Sequence, residues 1–434
     1  MVVRHALIIL DGLGDHIDPS GAHPTPLELA RTPHLDRLAG EGTFGRASIL
    51  GPGIAPESDA GVLALLGYDP VKDSPGRGVL EAVGSEIPLA PGDVALRLNF
   101  ATADGDGRIV DSRVGRNLST GESKALAEAI TKADLLASER VRAEVRATVG
   151  HRGVLWLHPT DGAALSGNVS NADPFYDKVG GMGQARKTTE PKIRTVQPLD
   201  DSAEARRTAR VIDLLAERVS PVLSAHSVNA RRAMAGKKVA NVLLLRNAGG
   251  LPQPPPVAFR DRHGRPGAAV TEMPVERGIA RLFGLADHFV GPMGPDRDAA
   301  LRERADLTGR VLAESPFVYV HLKGPDEPAH DGLADVKREI IEALDRSFFG
   351  PFLEGLDRSE VRIAVTADHA TPASAKSHSD DPVPLLYWGA GVSPSGWSGK
   401  FCERACAESG PLGLRPAREV LPLLFGPAVP AESA

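Results

Sequence analysis

Cysteine is nearly missing from this chain. Cys402 and Cys406 are the two present, too few for a disulfide framework or a thiol-rich zinc site. Near the carboxyl end they read as packing residues of a terminal helix. Long apolar runs are missing too. No stretch approaches the roughly 20 residues of a membrane span, and Asp11 breaks the first apolar segment before a signal-peptide core could complete. The expectation is a cytoplasmic protein with no membrane partner. Charge of one sign never accumulates in a block: 50 basic against 56 acidic residues leave −6, so nothing points to nucleic acid or an anionic lipid surface. Small anionic substrates stay open, because a local group of arginines matters more than the total. Neither internal repeats nor low-complexity tracts occur.

What is present is apolar material for a large core, 42% of 434 residues, enough for about two to three domains. Three separated apolar segments each run into metal-binding side chains. Ala6-Leu-Ile-Ile-Leu10 meets Asp11, Phe317-Val-Tyr-Val-His-Leu322 leads to Asp326 and His330, and Val361-Arg-Ile-Ala-Val365 leads to Asp368 and His369. In open α/β sheets, ligands gather beyond the carboxyl ends of the strands. Ser58 and His378 complete the set. Thr25 and Thr32, each followed by proline, cap helices after the first strand, and a helix over Ala60–Leu66 places Ser58 near its amino end, where unpaired N–H groups favour a phosphoryl group.

From about residue 75 the texture changes to glycine turns and short strands such as 94–100, 153–158 and 239–245, with a helix over 122–136. The proline-rich stretch 251–256 reads as the exit of an inserted α+β domain. Strands and helices alternate again afterwards, in a doubly wound pattern. The reading is a discontinuous catalytic domain, 1–75 with 256–434, interrupted by a cap domain, 76–255.

Singly, Asp326 with His330 or Asp368 with His369 means little. Together, three strand ends deliver oxygen and nitrogen ligands, which suits Mn²⁺, Zn²⁺ or Mg²⁺. Two divalent ions carry +4 and Asp11, Asp326 and Asp368 supply −3, leaving one unit for a serine alkoxide or phosphoryl oxygen. Coordination is a sensible way to activate Ser58, and a pair of ions stabilises both oxygens of an in-line displacement at phosphorus. The chemistry indicated is phosphoryl transfer through a phosphoserine.

These residues resemble the cofactor-independent (2,3-bisphosphoglycerate-independent) phosphoglycerate mutases, archaeal-type branch, of the alkaline phosphatase superfamily. The landmarks are Ile9-Leu-Asp-Gly-Leu-Gly14, Pro56-Glu-Ser-Asp59, Gly76-Arg-Gly-Val-Leu-Glu81, Asn99-Phe-Ala-Thr102, Asp111-Ser-Arg-Val-Gly-Arg116, the run His321 to Asp331, and Asp368-His-Ala-Thr-Pro372 with His378-Ser-Asp-Asp381. The resemblance implies a metal-dependent isomerase of glycolysis that needs no 2,3-bisphosphoglycerate and interconverts 3- and 2-phosphoglycerate. It implies one ion, expected to be Mn²⁺, on Asp11, Ser58, Asp368 and His369. A second is implied on Asp326, His330 and His378. Ser58 would be phosphorylated and Asp173 would orient or deprotonate a glycerate hydroxyl. Arg113, Arg116, His151, Arg152, Arg246 and Arg277 would contact the small phosphorylated carboxylic acid.

The chain departs from the family pattern on this substrate side. Asn168 to Tyr176 is less polar than usual, Asn247 follows Arg246 where glycine is usual, and arginines stand at Arg277 and Arg297. Alternative readings are therefore a relative retuned to another phospho- or phosphono-carboxylate, a phosphomonoesterase, or a silent metal-binding relative. Oligomeric state is left open.

Overall fold

The computed structural model describes residues 3–186 and 188–427. They form two compact units, one combining the chain up to Pro70 with the chain from Val257, the other spanning Val71–Pro256. The first unit opens with β1 (Arg4–Leu10) and β2 (Thr43–Ser48). The second unit contributes β3 (Val94–Ala103), β4 (Ile109–Asp111), β5 (Val141–Ala147), β6 (Arg152–Pro159), β7 (Tyr176–Val179), β8 (Met182–Ala185) and β9 (Val242–Gly249). The chain then returns with β10 (Ala268–Thr271), β11 (Ala286–Phe289), β12 (Phe317–Leu322), β13 (Val361–Thr366), β14 (Val383–Gly389) and β15 (Leu414–Pro416).

The first unit is α/β, built on an eight-stranded sheet in the order β11-β10-β12-β1-β13-β14-β2-β15. Strands β11 to β13 of that order run parallel. Among them β12 and β13 are buried at every position, as expected where a parallel sheet is covered on both faces, whereas the edge strand β11, Ala-Asp-His-Phe, is partly exposed. β14 pairs antiparallel to β13 and to β2, so the doubly wound α/β sheet ends in antiparallel strands on that side. In-register pairing of β1 with both neighbours, Ile9 opposite His321 and Thr366, aligns three carboxyl ends at one edge. That alignment gathers the loops carrying Asp11, Asp326 and Asp368.

The helix Ser58–Leu65 lies against that edge because Gly61 has no side chain: a Cβ there would collide with the Asp368 carbonyl oxygen. Thr25 caps the helix Pro26–Leu29 in a capping box with Glu28. Cys402 and Cys406 are buried at the start and within the short helix Glu403–Glu408.

In the second unit β3 is central, antiparallel to β6 and β9, with β5 beyond β6. Alternate residues Val94, Leu96, Leu98 and Phe100 face a core shared with the helices Thr120–Lys132 and Ala203–Ser224. The intervening Arg97 and Asn99 lie on the other face. No helix among the described residues is long and apolar enough to cross a membrane.

Candidate active site

All seven side chains expected to hold metal lie in the first unit and converge. Asp326 Oδ1 is 3.4 Å from His330 Nε2 and 3.3 Å from His378 Nε2. His369 Nε2 stands 3.5 Å from Asp11 Oδ1 and 3.4 Å from Asp368 Oδ2, and Ser58 Oγ lies 3.3 Å from the same nitrogen. His369 and His378 stack with ring centroids 3.7 Å apart, which joins the two groups of donors into one centre.

The outer nitrogens of three imidazoles fix what the inner ones can do. His330 Nδ1 donates to the Lys376 carbonyl at 3.0 Å and His378 Nδ1 to that of Pro56 at 2.7 Å. Thr371 spends its hydroxyl proton on Asp326 Oδ1 at 2.8 Å, so it accepts from His369 Nδ1 at 3.0 Å. Rings held this way turn their Nε2 atoms inward. Two of those, on His330 and His378, face each other at 3.1 Å. Such a pair is repulsive unless a proton or a cation lies between them.

The carboxylates repeat the pattern. Asp11 Oδ2 is held by Lys323 Nζ at 3.2 Å, and Asp368 Oδ1 accepts from the Gly12 amide at 3.2 Å. Their other oxygens, Asp11 Oδ1 and Asp368 Oδ2, are buried without a hydrogen-bond partner. Buried acceptors left open in this way need a cation. Burial lowers the His378 imidazole, but Asp326 and Glu57 outweigh it and push it up to about 9. Burial and Asp11 raise Asp326, yet His378 and His369 hold it below the ordinary carboxylate range.

The second unit carries a crowded set of guanidiniums. Arg97 on β3 sits opposite Arg246 on β9, and Asn99 opposite Arg152 on β6. Arg113 and Arg116 project from a loop in which Val114, Gly115 and Arg116 all have left-handed backbones, φ +52°, +64° and +53°. For a β-branched residue that is strained, at a cost of about 1–3 kcal/mol. Burial and then Arg77 lower Arg97 to about 9, with Arg246 and Arg152 adding to it and Glu81 opposing. Burial, Arg152, Arg113, Arg97 and Arg116 push His151 down to about 3, so its ring is neutral. Glu81, 2.9 Å from Arg77 Nε, and Asp173, 2.7 Å from Arg246 Nη1, offset part of this charge. Guanidiniums gathered in this way favour an anion.

Residues 39–229 match the family model described as 2,3-bisphosphoglycerate-independent phosphoglycerate mutase. The enzyme of that name from Aeropyrum pernix is 42% identical over 402 residues, 92% of this chain and 93% of the relative. The one from Methanopyrus kandleri is 39% identical, covering 89% and 87%. The chain belongs to this family. A solved structure from Pyrococcus horikoshii is 29% identical and superimposes with a TM-score of 0.75, over 98% of this chain and 97% of that one. The cofactor-independent phosphoglycerate mutase of Thermoplasma acidophilum is 30% identical with a TM-score of 0.56, covering 97% and 99%.

One departure from the family pattern has a conformational explanation. Asn247 has φ +53°, in the left-handed region that favours glycine and that asparagine tolerates. Its amide is held by Asn171 Oδ1 at 2.8 Å. Asp173 is buried with both oxygens engaged, Oδ2 by Arg246 and Oδ1 by the Phe175 amide at 2.9 Å.

Arg277 lies in the first unit. Its Nε is 2.8 Å from Asp287 and its guanidinium lies 4.6 Å from the Phe289 ring centroid, both on β11 at the sheet edge, three strands from β1. Sequence reasoning also missed several members. In the first unit these are His321, Lys323 and Glu276, whose Oε1 is 2.8 Å from Lys323 Nζ. In the second they are Arg77, Arg97 and Glu81. The signal for Arg97 was available, as a cation at an every-second position of an otherwise apolar strand.

Proposed function

We propose that this protein interconverts 3-phosphoglycerate and 2-phosphoglycerate through a phosphoserine at Ser58, with two divalent ions, Mn²⁺ first among them. The observation that carries the reading is the convergence of Ser58 Oγ, inward Nε2 atoms and unpartnered carboxylate oxygens at one sheet edge. Asp11, Ser58, Asp368 and His369 would hold one ion and Asp326, His330 and His378 the other. When bound, such ions lower the pKa of the serine hydroxyl and neutralise phosphoryl charge.

Ser58 Oγ attacks phosphorus. The bond from phosphorus to the glycerate oxygen breaks, that oxygen ends as a hydroxyl, and the phosphoryl group rests on Ser58 until the neighbouring glycerate hydroxyl takes it back. Arg113, Arg116, Arg152 and Arg246 bind the carboxylate, since the guanidinium fork matches it bidentately. His151, neutral, hydrogen-bonds a glycerate hydroxyl. Asp173 keeps Arg246 aimed and is the candidate to handle the hydroxyl proton. The substrate and setting proposed are a small phosphorylated acid in the cytoplasm.

The test is incubation with 3-phosphoglycerate and Mn²⁺ in ¹⁸O-labelled water. Unlabelled 2-phosphoglycerate supports the mutase, whereas labelled inorganic phosphate as the main product makes the protein a phosphatase. Replacing Ser58→Ala should abolish turnover with the fold intact, and appreciable mutase activity in that variant rules out the covalent route.

A further inference from the structure

We propose that His321 is a direct ligand of the ion held by Asp11 and Asp368, beyond the residues that the family resemblance assigns to metal. The inference deepens the metal-dependent reading above and rests on it for the presence of a divalent ion.

His321 lies inside β12, opposite Ile9 of β1, and is completely buried. Each of the two carboxylates beside it has one oxygen satisfied, Asp11 Oδ2 by Lys323 and Asp368 Oδ1 by the Gly12 amide, and one left bare. The bare pair faces two imidazole nitrogens in nearly the same way. His369 Nε2 is 3.5 Å from Asp11 Oδ1 and 3.4 Å from Asp368 Oδ2, and His321 Nε2 is 3.8 Å and 3.4 Å from the same atoms.

These separations are too long for good hydrogen bonds. They are close to the spacing of atoms that share one cation, because ligands at about 2.0–2.2 Å from an ion stand roughly 3.0–3.5 Å apart. The far side of the ring is arranged for a ligand. His321 Nδ1 is 3.0 Å from the Tyr319 hydroxyl and 3.6 Å from Glu276 Oε1, acceptors that suit an Nδ1–H and leave Nε2 as the lone pair. Lys323 Nζ, 3.5 Å from Nε2, is itself a donor and would repel a proton there. Asp11, Asp368, His369 and His321 then offer mixed oxygen and nitrogen donors, with Ser58 Oγ beside them, a set that fits Mn²⁺ or Zn²⁺.

The experiment uses the full chain loaded with Mn²⁺. A crystal structure with anomalous data locates the ions, and pulsed EPR on protein with ¹⁵N-labelled histidine counts coordinated imidazoles. The expected result is an ion about 2.0–2.3 Å from His321 Nε2, with one fewer coordinated imidazole in His321→Asn and at least a tenfold weaker affinity for one of two Mn²⁺ by equilibrium dialysis. Two ions bound with His321 Nε2 beyond about 3 Å from both would overturn the inference and leave the mutase reading standing. Failure of the wild-type chain to bind Mn²⁺ would overturn both. The wild-type measurement decides the matter even where the variant does not fold.

Discussion

Lys337 offers a prediction that can be worked from distances alone. Its side chain is fully buried, and its ammonium donates to the carbonyls of Gly14 and Thr371, each at 2.9 Å, and to Asp15 Oδ2 at 3.0 Å. Gly14 and Thr371 each lie three residues beyond a strand-end carboxylate, Asp11 and Asp368. One cation therefore ties together the two loops that place the centre. Lys337→Met keeps the volume, so the cavity contribution is small, but it takes the cation away from two carbonyls and a buried carboxylate, for which the backbone donors that remain, Thr371 N to Gly14 and Ala373 N to Asp15, carry no charge. Breaking a buried pair from one side costs about 3–5 kcal/mol. For a unit of this size, that corresponds to a fall in Tm of roughly 6–20 °C.

Calorimetry and urea unfolding monitor the loss, and equilibrium dialysis monitors Mn²⁺ affinity, which should weaken as the loops slacken. The double variant Asp15→Asn with Lys337→Met removes the stranded charge and should recover about half of the cost. Stability of Lys337→Met within about 0.5 kcal/mol of the parent, the size of an ordinary surface substitution, would refute the reasoning. So would a double variant as unstable as the single one.

Gly61→Ala pushes the Ser58 helix off the Asp368 carbonyl, and a displacement of about 1 Å at the nucleophile should lower kcat roughly 100-fold; an unchanged kcat would show that the close approach is not what positions Ser58. Arg113→Met should raise KM for 3-phosphoglycerate by about 10–100-fold, the worth of one charge-assisted contact, with a smaller change in kcat. Burial pushes Glu403 up to about 7 from 4.5 even though Thr25 donates to it. The folded state then binds more protons than the unfolded state between these values, so this group's stabilising contribution, complete below pH 4.5, falls as pH rises to about 7. Glu403→Gln should accordingly gain on the parent in unfolding experiments above pH 7, with the gap closing toward pH 4.5.

The candidate metal centre was legible because its strands are central and parallel: burial on both faces favours largely apolar runs, and each run is followed by a candidate ligand. Elements obeying other constraints were less visible. β2, Thr-Phe-Gly-Arg-Ala-Ser, mixes glycine and arginine and gains its strand character from pairing with β14. The 22-residue helix Ala203–Ser224 went unread although Ser202 caps it, because its charged residues mask the apolar stripe. His321 was hidden for the opposite reason. Within Phe-Val-Tyr-Val-His-Leu it reads as strand content, and only the register that sets it against Ile9 brings it to the two carboxylates.

The substrate side shows where residue identity misleads and backbone conformation does not. Asn247 in place of glycine looked like a change of specificity, yet its φ of +53° preserves the left-handed turn after Arg246, and Asn171 supplies a hydrogen bond to fix it. Any retuning of specificity must therefore act through groups that reach the ligand, not through this turn. On the proposed reading, in which Arg113 and Arg116 contact the substrate, the strained Val114-Gly-Arg116 loop is such a place. Val114 is fully buried in the core of the second unit, and Arg113 donates its backbone N–H to Asp111 Oδ1 at 2.8 Å, so the burial of that side chain helps to offset the strain that presents Arg113 and Arg116. Val114→Ala tests this directly. It removes two methyl groups from that anchor while leaving every guanidinium in place, so it should raise KM for 3-phosphoglycerate with the metal content unchanged. A KM equal to that of the parent would mean that the loop holds its shape without the core.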